Sequence, residues 1–207
     1  MTAAVDFRLY QITDRRSLPA GRTLEEAVHG ALDGGVRAIQ LREKDLSAAE
    51  LLPLAQRLRD LTRRYQARLL INHHIDVALA AEADGVHLGG SSLSAAAARQ
   101  LLGPQRLIGR SCHSLADVQA ATAADFVTCG PVFFTASKAA FGAPMGLATL
   151  ADICAASPLP VFALGGISVA QAPAVWACGV AGLAFIGAVQ NAADPAAAAR
   201  ALFRSGR

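Results

Sequence analysis

Short apolar runs of β type alternate with longer helical segments along the whole chain. The runs are five to seven residues long and are bounded by glycine or polar residues. Runs of this kind predict strands. The eight predicted strands are residues 8–13, 38–42, 68–72, 85–89, 107–112, 126–130, 161–166 and 182–188.

The segments between the runs have the periodicity of helices, and residues 47–66 show it most clearly. The apolar residues at positions 51, 54, 58 and 61, all leucine, recur at spacings of three and four, which places them on one face of a helix. Ser47 followed by Glu50 forms the sequence pattern of a capping box at the helix start. A helix is therefore predicted after the second strand.

Eight alternations of strand and helix, with no long linker between them, predict an α/β fold with a parallel sheet. Eight is also the number of strands that closes a (β/α)₈ TIM barrel, so we predict one barrel domain over residues 1–207 with its core at about 8–195. The alternative is an open doubly wound sheet, but no G-x-G-x-x-G pattern opens the first helix. In a barrel, the active site lies where the strands end.

Composition narrows the classes of protein and of partner. Hydrophobic residues make up 53% of the 207 residues and aromatics only 5%, which predicts a core of small aliphatic side chains. The net charge of +3 is scattered, with no basic stripe, so we expect no nucleic-acid partner. No run approaches the ~18 apolar residues of a membrane span, and the N-terminal segment carries Asp6 without an apolar signal sequence. We therefore expect no membrane association.

The four cysteines stand far apart in the sequence and form no C-x-x-C pair. This spacing predicts buried thiols in a reducing compartment, and we expect a cytoplasmic protein. They are Cys112, Cys129, Cys154 and Cys178.

The end of the second strand, QLREKD, carries polar residues in alternation. Gln40, Arg42 and Lys44 would share one face if the strand ran that far, and in a barrel that face is the interior near the mouth. Two cations and an amide that converge there suit a phosphate, pyrophosphate or carboxylate. The alternative is a solvated charge cluster that opens a loop.

The later strands end in glycine-rich segments that suit an anion. Gly165 and Gly166 follow the seventh strand and Gly187 follows the eighth, where barrels commonly hold a phosphate through backbone N–H groups. The loop at 130–144 adds two hydroxyls and a cation, which are Thr135, Ser137 and Lys138. These residues predict an anion-binding loop, with a plain surface loop as the alternative.

Histidines occur at three strand ends. His113 follows the fifth strand, where an imidazole is well placed for proton transfer, whereas its neighbour Cys112 should point away from it. His87 is more typical of an interior histidine that is hydrogen-bonded than of a metal ligand. His73 and His74 first suggest a metal site, but adjacent strand-end residues diverge and cannot both face one ion without a sharp turn.

The strand-end segments LYQITDR, QLREKD, LLIN, ADGVHLG, ADFVTCGPVFFT and ALGGI, with the segment of the eighth strand, resemble thiamine phosphate synthases and their paralogues, the thiazole tautomerases. The resemblance spans residues 8–195 and implies a (β/α)₈ barrel that acts on phosphorylated thiamine precursors. The synthase joins a pyrimidine methyl pyrophosphate to a thiazole phosphate and releases pyrophosphate.

The resemblance also implies where the synthase binds magnesium, through one Asp after the third strand and another after the fourth. In this chain those positions are His73 and Ser92, and Gly90 stands where the synthase has Gln. Imidazole and hydroxyl are poor replacements, because magnesium prefers carboxylate oxygen. Metal binding is therefore not expected.

Most of the anion-binding positions that the resemblance implies are retained in this chain. They are Gln40, Arg42, Lys44, Asn72, Thr135, Ser137 and Lys138 for substrate anions and Gly165, Gly166, Ile186 and Gly187 for phosphate.

The segment GRSCHSL is similar to the tautomerase segment that carries a catalytic histidine, which would be His113 here. The first hypothesis is therefore a metal-independent thiazole tautomerase with a phosphorylated thiazole substrate and no cofactor. The alternatives are a thiamine phosphate synthase with an altered metal site, the only case that calls for Mg²⁺, or a non-catalytic protein that binds thiamine precursors. Whether the chain forms a homo-oligomer stays open.

Overall fold

The computed structural model describes residues 4–135 and 143–206, and eight parallel strands within them form a closed barrel. Each strand pairs with the next in the sequence, and β8 pairs with β1 to close the ring. The strands are β1 (Leu9–Ile12), β2 (Ala38–Leu41), β3 (Arg68–Asn72), β4 (Gly85–Leu88), β5 (Leu107–Cys112), β6 (Phe126–Cys129), β7 (Val161–Leu164) and β8 (Gly182–Phe185). The predicted TIM barrel is confirmed, and the open sheet is wrong.

Helices follow the strands and surround the barrel. The helix predicted after the second strand begins at its capping box, in which Ser47 and Glu50 exchange hydrogen bonds. In the described ranges no helix is long and apolar enough to cross a membrane. The helices are α1 (Leu24–Asp33), α2 (Ala48–Arg64), α3 (Ile75–Ala80), α4 (Ala95–Leu102), α5 (Leu115–Ala120), α6 (Gly146–Ala156), α7 (Ala172–Trp176), α8 (Gly187–Gln190) and α9 (Pro195–Arg204).

The alternation of side chains along each strand divides the core into two layers. Outward-facing aliphatic residues such as Ile39, Leu41 and Ile71 pack against the helices, whereas Ala38 and Leu70 point into the barrel. Small aliphatic side chains dominate the outer layer, as the composition predicts. Cys112 and Cys129 are buried there as free thiols, in agreement with the sequence prediction for these two.

Four aromatic rings fill the part of the barrel interior near the N-terminal ends of the strands. They are Phe7, Tyr10, Phe126 and Phe162. Glycines on neighbouring strands make room for them. A Cβ on Gly109 would lie 2.5 Å from the Phe126 ring, and one on Gly182 would overlap the Phe162 ring. Because this apolar cluster occupies the lower barrel, polar side chains collect above it, at the carboxyl ends of the strands.

Candidate active site

The residues at the end of β2 are not arranged as the sequence predicts, because the strand ends at Leu41. Gln40 is buried inside the barrel, and its amide N–H donates to the Tyr10 hydroxyl at 3.0 Å. Arg42 is half-buried just beyond the strand, and Lys44 is exposed in the following turn. The three side chains therefore lie at three depths, rather than side by side on one strand face.

The Arg42 guanidinium has no hydrogen-bond or ion-pair partner among residues 4–135 and 143–206. Burial lowers its pKa, although the charges of Asp14 and Glu43 act in the opposite direction. The Arg42 backbone N–H donates to Thr13 Oγ1 at 2.9 Å, and the Thr13 hydroxyl donates to Glu43 at 2.6 Å. The backbone is thus held while the cationic group stays available to an anion.

Glu43 is directed away from the mouth, toward the loop that follows β1. Its carboxylate accepts hydrogen bonds from Thr13, from the Arg15 backbone N–H at 3.0 Å and from the Arg15 guanidinium at 3.4 Å. Arg15 also makes a bidentate pair with Asp45, at 2.6 and 2.9 Å. These bonds fasten the β1 and β2 loops together and occupy the acidic group nearest to Arg42 in sequence.

His73 and Ser92, the two positions that correspond to magnesium carboxylates in the resemblance, contact each other in this chain. His73 Nδ1 is hydrogen-bonded to Ser92 Oγ, which also accepts the Gly89 backbone N–H at 2.8 Å. The His73 backbone N–H donates to the His87 carbonyl at 3.0 Å. These bonds fix an imidazole, rather than a carboxylate, at the mouth between β3 and β4.

His74 points elsewhere, as the divergence of adjacent residues predicts. It is the N-cap residue of α3, and its Nδ1 lies 3.6 Å from the Asp76 carboxylate. Together with Lys44, Asn72 and His73, it borders a cavity of about 320 Å³ beside the mouth. Although both histidines border this cavity, their Nδ1 atoms have different neighbours, Ser92 for His73 and Asp76 for His74.

The electrostatic surroundings of His73 are positive. Its pKa lies below its usual value, first because of burial and then because of the charges of Arg42, His74 and Lys44. Among the described residues, no group of three or more His, Cys, Asp or Glu side chains could hold a metal ion. These donors do not fit magnesium, which needs carboxylate oxygens, and the surroundings favour an anion.

His113 lies just after β5, and its imidazole is oriented by the end of β6. Its Nδ1 lies 2.5 Å from the Gly130 carbonyl oxygen, which only accepts, so Nδ1 carries a hydrogen and Nε2 of the neutral ring can accept one. Its backbone N–H donates to Asp117 at 2.8 Å. The exposed ring is thus set up to accept a proton through Nε2.

Cys112 diverges from His113, as predicted. Its side chain is buried among the outer core residues, and burial raises its pKa to about 11. A thiol with this pKa is protonated at neutral pH, so it is unsuited to act as a nucleophile.

His87 forms the centre of a buried polar network beneath the mouth, as the sequence prediction of an interior histidine requires. Tyr10 accepts from Gln40 and donates to His87 Nδ1 at 3.3 Å, so His87 Nε2 carries the hydrogen that bonds Ser111 Oγ at 3.0 Å. Burial lowers the pKa of His87 to about 3. Thr128 Oγ1 lies 3.3 Å from His87 Nε2, so the network links strands β1, β2, β4, β5 and β6. Sequence reasoning missed Tyr10, Ser111 and Thr128. The alternation of inward and outward side chains along β1, β5 and β6 places all three in the barrel interior, and this signal could have identified them.

The ends of β6 and β7 are packed closely through glycine. Gly165 and Gly166 adopt positive φ angles of 105° and 67°. A Cβ on Gly166 would lie 2.8 Å from Phe133 Cβ and from the Phe134 carbonyl oxygen. The backbone N–H groups of Val132 and Phe133 donate to Leu164 and Gly165 at 2.9 and 3.0 Å. Only glycine fits this close approach of two loops.

The remaining predicted residues follow β6 and β8 in the sequence. Ile186 precedes α8, its carbonyl accepts the Gln11 amide at 3.1 Å, and Gly187 is the first residue of α8. Thr135 is the last described residue before the gap. Ser137 and Lys138 lie outside the described residues. The structure thus places Gly166, Ile186 and Gly187 after the adjacent strands β7 and β8, whereas Arg42 and His73 follow β2 and β3, and β7 lies opposite β3 in the closed barrel.

Comparison with known proteins places this chain in a family. The thiamine monophosphate synthase family matches residues 9–189. A putative thiamine-phosphate synthase of Geobacter sulfurreducens is 55% identical over 202 residues, which cover 97% of this chain and 94% of that protein. A thiamine-phosphate synthase of Roseiflexus castenholzii is 45% identical over 197 residues, with coverage of 94% and 86%.

A solved structure agrees with this assignment. The thiamine phosphate pyrophosphorylase from Pyrococcus furiosus superposes with a TM-score of 0.87 at 37% identity and covers 97% of this chain and 95% of that one. These names favour the synthase alternative over the tautomerase that we expected first. The chain belongs to the thiamine monophosphate synthase family.

Proposed function

We propose that this chain is a thiamine-phosphate synthase, which joins a pyrimidine methyl pyrophosphate to a thiazole phosphate and releases pyrophosphate. The observation that carries the proposal is the half-buried Arg42 guanidinium at the barrel mouth, which has no partner among the described residues. The names of the relatives at 45% and 55% identity support the same reaction. They outweigh the short segment around His113 on which the tautomerase hypothesis depended.

The synthase reaction needs two separate anion sites, because one substrate carries pyrophosphate and the other phosphate. Arg42 and Lys44 are suited to the pyrophosphate, since charge develops on that group as the carbon–oxygen bond breaks. Asn72 ends β3 between the Arg42 loop and His87, and we assign its amide to the same anion. Gln40 would then act from below through Tyr10, rather than as a direct ligand.

The thiazole phosphate would bind on the opposite side of the mouth. Backbone N–H groups at Gly166, Ile186 and Gly187 are suited to it, because the positive φ of Gly166 exposes the chain at the end of β7. Gly165 supports this segment by packing against Pro131. We assign Thr135, Ser137 and Lys138 to the same substrate anions, on the sequence pattern alone for the latter two.

A specific observation keeps the tautomerase as the second candidate. The bond from His113 Nδ1 to Gly130 leaves Nε2 as an acceptor, which is the geometry that a group shuttling one proton requires. The tautomerase would use the same phosphate site. It would aromatise a thiazole carboxylate phosphate rather than form a bond to the pyrimidine.

The experiment that tests the proposal separates the two activities. Purified protein is mixed with pyrimidine methyl pyrophosphate and thiazole phosphate, once with Mg²⁺ and once with EDTA, and thiamine phosphate and pyrophosphate are quantified by chromatography. A parallel reaction follows aromatisation of the thiazole carboxylate phosphate by absorbance. We expect thiamine phosphate and pyrophosphate in equal amounts. Aromatisation with no thiamine phosphate in either buffer would instead establish the second candidate.

A further inference from the structure

One of the two positions where magnesium carboxylates are expected has a backbone conformation that suits an aspartate as well as the histidine present. His73 has a φ of 62°, in the left-handed region where Asn, Asp and His are enriched among non-glycine residues. An aspartate and a histidine therefore suit the same local fold. At position 73 this chain places an imidazole in a turn that would also accept a carboxylate.

The imidazole of His73 is held in place by two neighbours. Ser92 contacts Nδ1, and the Gly89 N–H fixes the Ser92 hydroxyl oxygen from the other side. A Cβ on Gly89 would lie 2.9 Å from His73 Cε1, so the ring occupies the space that a side chain at position 89 would fill. Ser92 has its own hydrogen to donate to Nδ1, which leaves Nε2 as the ring's donor.

The charged groups around the His73 ring also favour an anion. Arg42, Lys44 and His74 are the charged or titratable groups that act on His73. The carboxylate of Glu43, whose side chain is only 1% exposed, is bonded to Thr13 and Arg15 instead. No carboxylate is among the charged groups that act on His73, and the carboxylate of Asp14 acts on Arg42 instead. An anion with several charges would find a guanidinium, an ammonium and an N–H donor beside the His73 ring.

We propose that this chain binds the pyrophosphate of its substrate directly, without a divalent metal, through Arg42, Lys44 and the Nε2–H of His73. This inference rests on the proposed synthase function. Ser92 is a positioning residue, because it acts only by orienting the His73 ring. The reaction balances without a proton transfer. The bond from methylene carbon to pyrophosphate oxygen breaks with its electron pair on oxygen, and the thiazole nitrogen lone pair forms the new carbon–nitrogen bond.

The first test measures binding of inorganic pyrophosphate by calorimetry, with EDTA or with Mg²⁺ in the buffer. We expect binding in EDTA and no tightening by Mg²⁺. His73→Gly, which keeps the left-handed backbone accessible, should weaken binding by about 10- to 100-fold, the usual range for one lost hydrogen bond to a charged group. Ser92→Ala should weaken pyrophosphate binding less than His73→Gly does. Ser92→Thr, which keeps the hydroxyl group, should bind pyrophosphate as the wild type does. A melting curve for each variant checks folding.

A gain-of-function variant tests the same inference from the opposite direction. In His73→Asp/Ser92→Asp, we expect pyrophosphate to bind poorly in EDTA and tightly with Mg²⁺, because two carboxylates now face the site. The matched control is Gln56→Glu/Gln100→Glu, which adds two carboxylates at exposed positions of α2 and α4, outside the cavity that His73 borders. We expect no magnesium dependence in the control.

The outcomes separate this inference from the proposed function. Wild-type binding that requires Mg²⁺, or unchanged binding in folded His73→Gly, overturns direct binding while a positive synthase assay leaves the function intact. Pyrophosphate binding in EDTA without any thiamine phosphate formation overturns the function but supports the pyrophosphate site. Synthase activity that survives EDTA together with binding in EDTA supports both.

Discussion

The two sides of the barrel mouth offer anions different kinds of group. On the β2–β4 side the groups are side chains, namely Arg42, Lys44 and the His73–Ser92 pair, and hydrogen bonds hold their backbone or ring. On the β6–β8 side the groups are backbone N–H donors beside glycines with positive φ. Side-chain charge suits an anion that gains charge as it leaves, whereas a backbone site suits a phosphate that stays unchanged.

The largest effect that distinguishes the two sides is expected for Arg42→Ala. Loss of this guanidinium removes charge stabilisation from the leaving pyrophosphate, so we expect kcat/KM for thiamine phosphate formation to fall about 10²- to 10³-fold. Steady-state kinetics with each substrate varied in turn measures it. The control is Arg63→Ala, an exposed arginine on α2 paired with Glu82, which should change the rate less than about two-fold. An equal loss in both variants would contradict the assignment.

The arrangement of strands was predictable from the sequence because each strand is a short apolar run and the helices between them keep their period. The depth at which the residues after β2 lie could not be predicted, because it depends on where the strand ends. Lys44 would have faced the interior had the strand run three residues further. The contact between His73 and Ser92 joins residues 19 positions apart through the β3 and β4 ends, and only the barrel register brings them together.

A second prediction concerns His87, which joins the two sides beneath the mouth through Ser111 and Thr128. Its pKa of about 3 in the folded protein lies below the usual value of about 6.5, so below pH 6.5 the unfolded chain binds a proton that the folded chain does not. Stability should therefore fall as the pH drops from 6.5 toward 3, by up to about 1.4 kcal/mol per pH unit.

Urea unfolding of wild type and His87→Gln over this pH range measures the contribution of His87. Because His73 and the carboxylates also respond to pH, the informative quantity is the difference between the two proteins. We expect His87→Gln to be less stable at pH 7 and to lose stability less steeply on acidification. Parallel curves for both proteins would mean that His87 is not held neutral in the folded state.

A third and smaller effect tests the backbone side of the mouth with Gly166→Ala. The added Cβ meets Phe133 and the Phe134 carbonyl, in addition to the cost of a positive φ, so we expect about 1–3 kcal/mol of lost stability and a raised KM for thiazole phosphate alone. Gly35→Ala is the control, since Gly35 ends the turn after α1 with a positive φ of 97° and nothing within 4 Å of its added Cβ. It carries the strain without the contact, and its KM values should stay unchanged. A raised KM for the pyrimidine substrate in Gly166→Ala would mean that the two anion sites are assigned the wrong way round.

The smallest effect on synthesis is expected for His113→Asn, which separates the two candidate functions. Asparagine has no group that shuttles a proton near neutral pH, so aromatisation of the thiazole carboxylate phosphate, if present in the wild type, should fall about 10²- to 10⁴-fold. Thiamine phosphate formation should change less than about three-fold, since that step transfers no proton and the lost contact to Gly130 is one hydrogen bond. Both rates are measured on one preparation, so a folding defect would lower them together. A large loss confined to thiamine phosphate formation would mean that His113 takes part in the synthase reaction. The groups on the two sides of the mouth would then not account for that reaction by themselves.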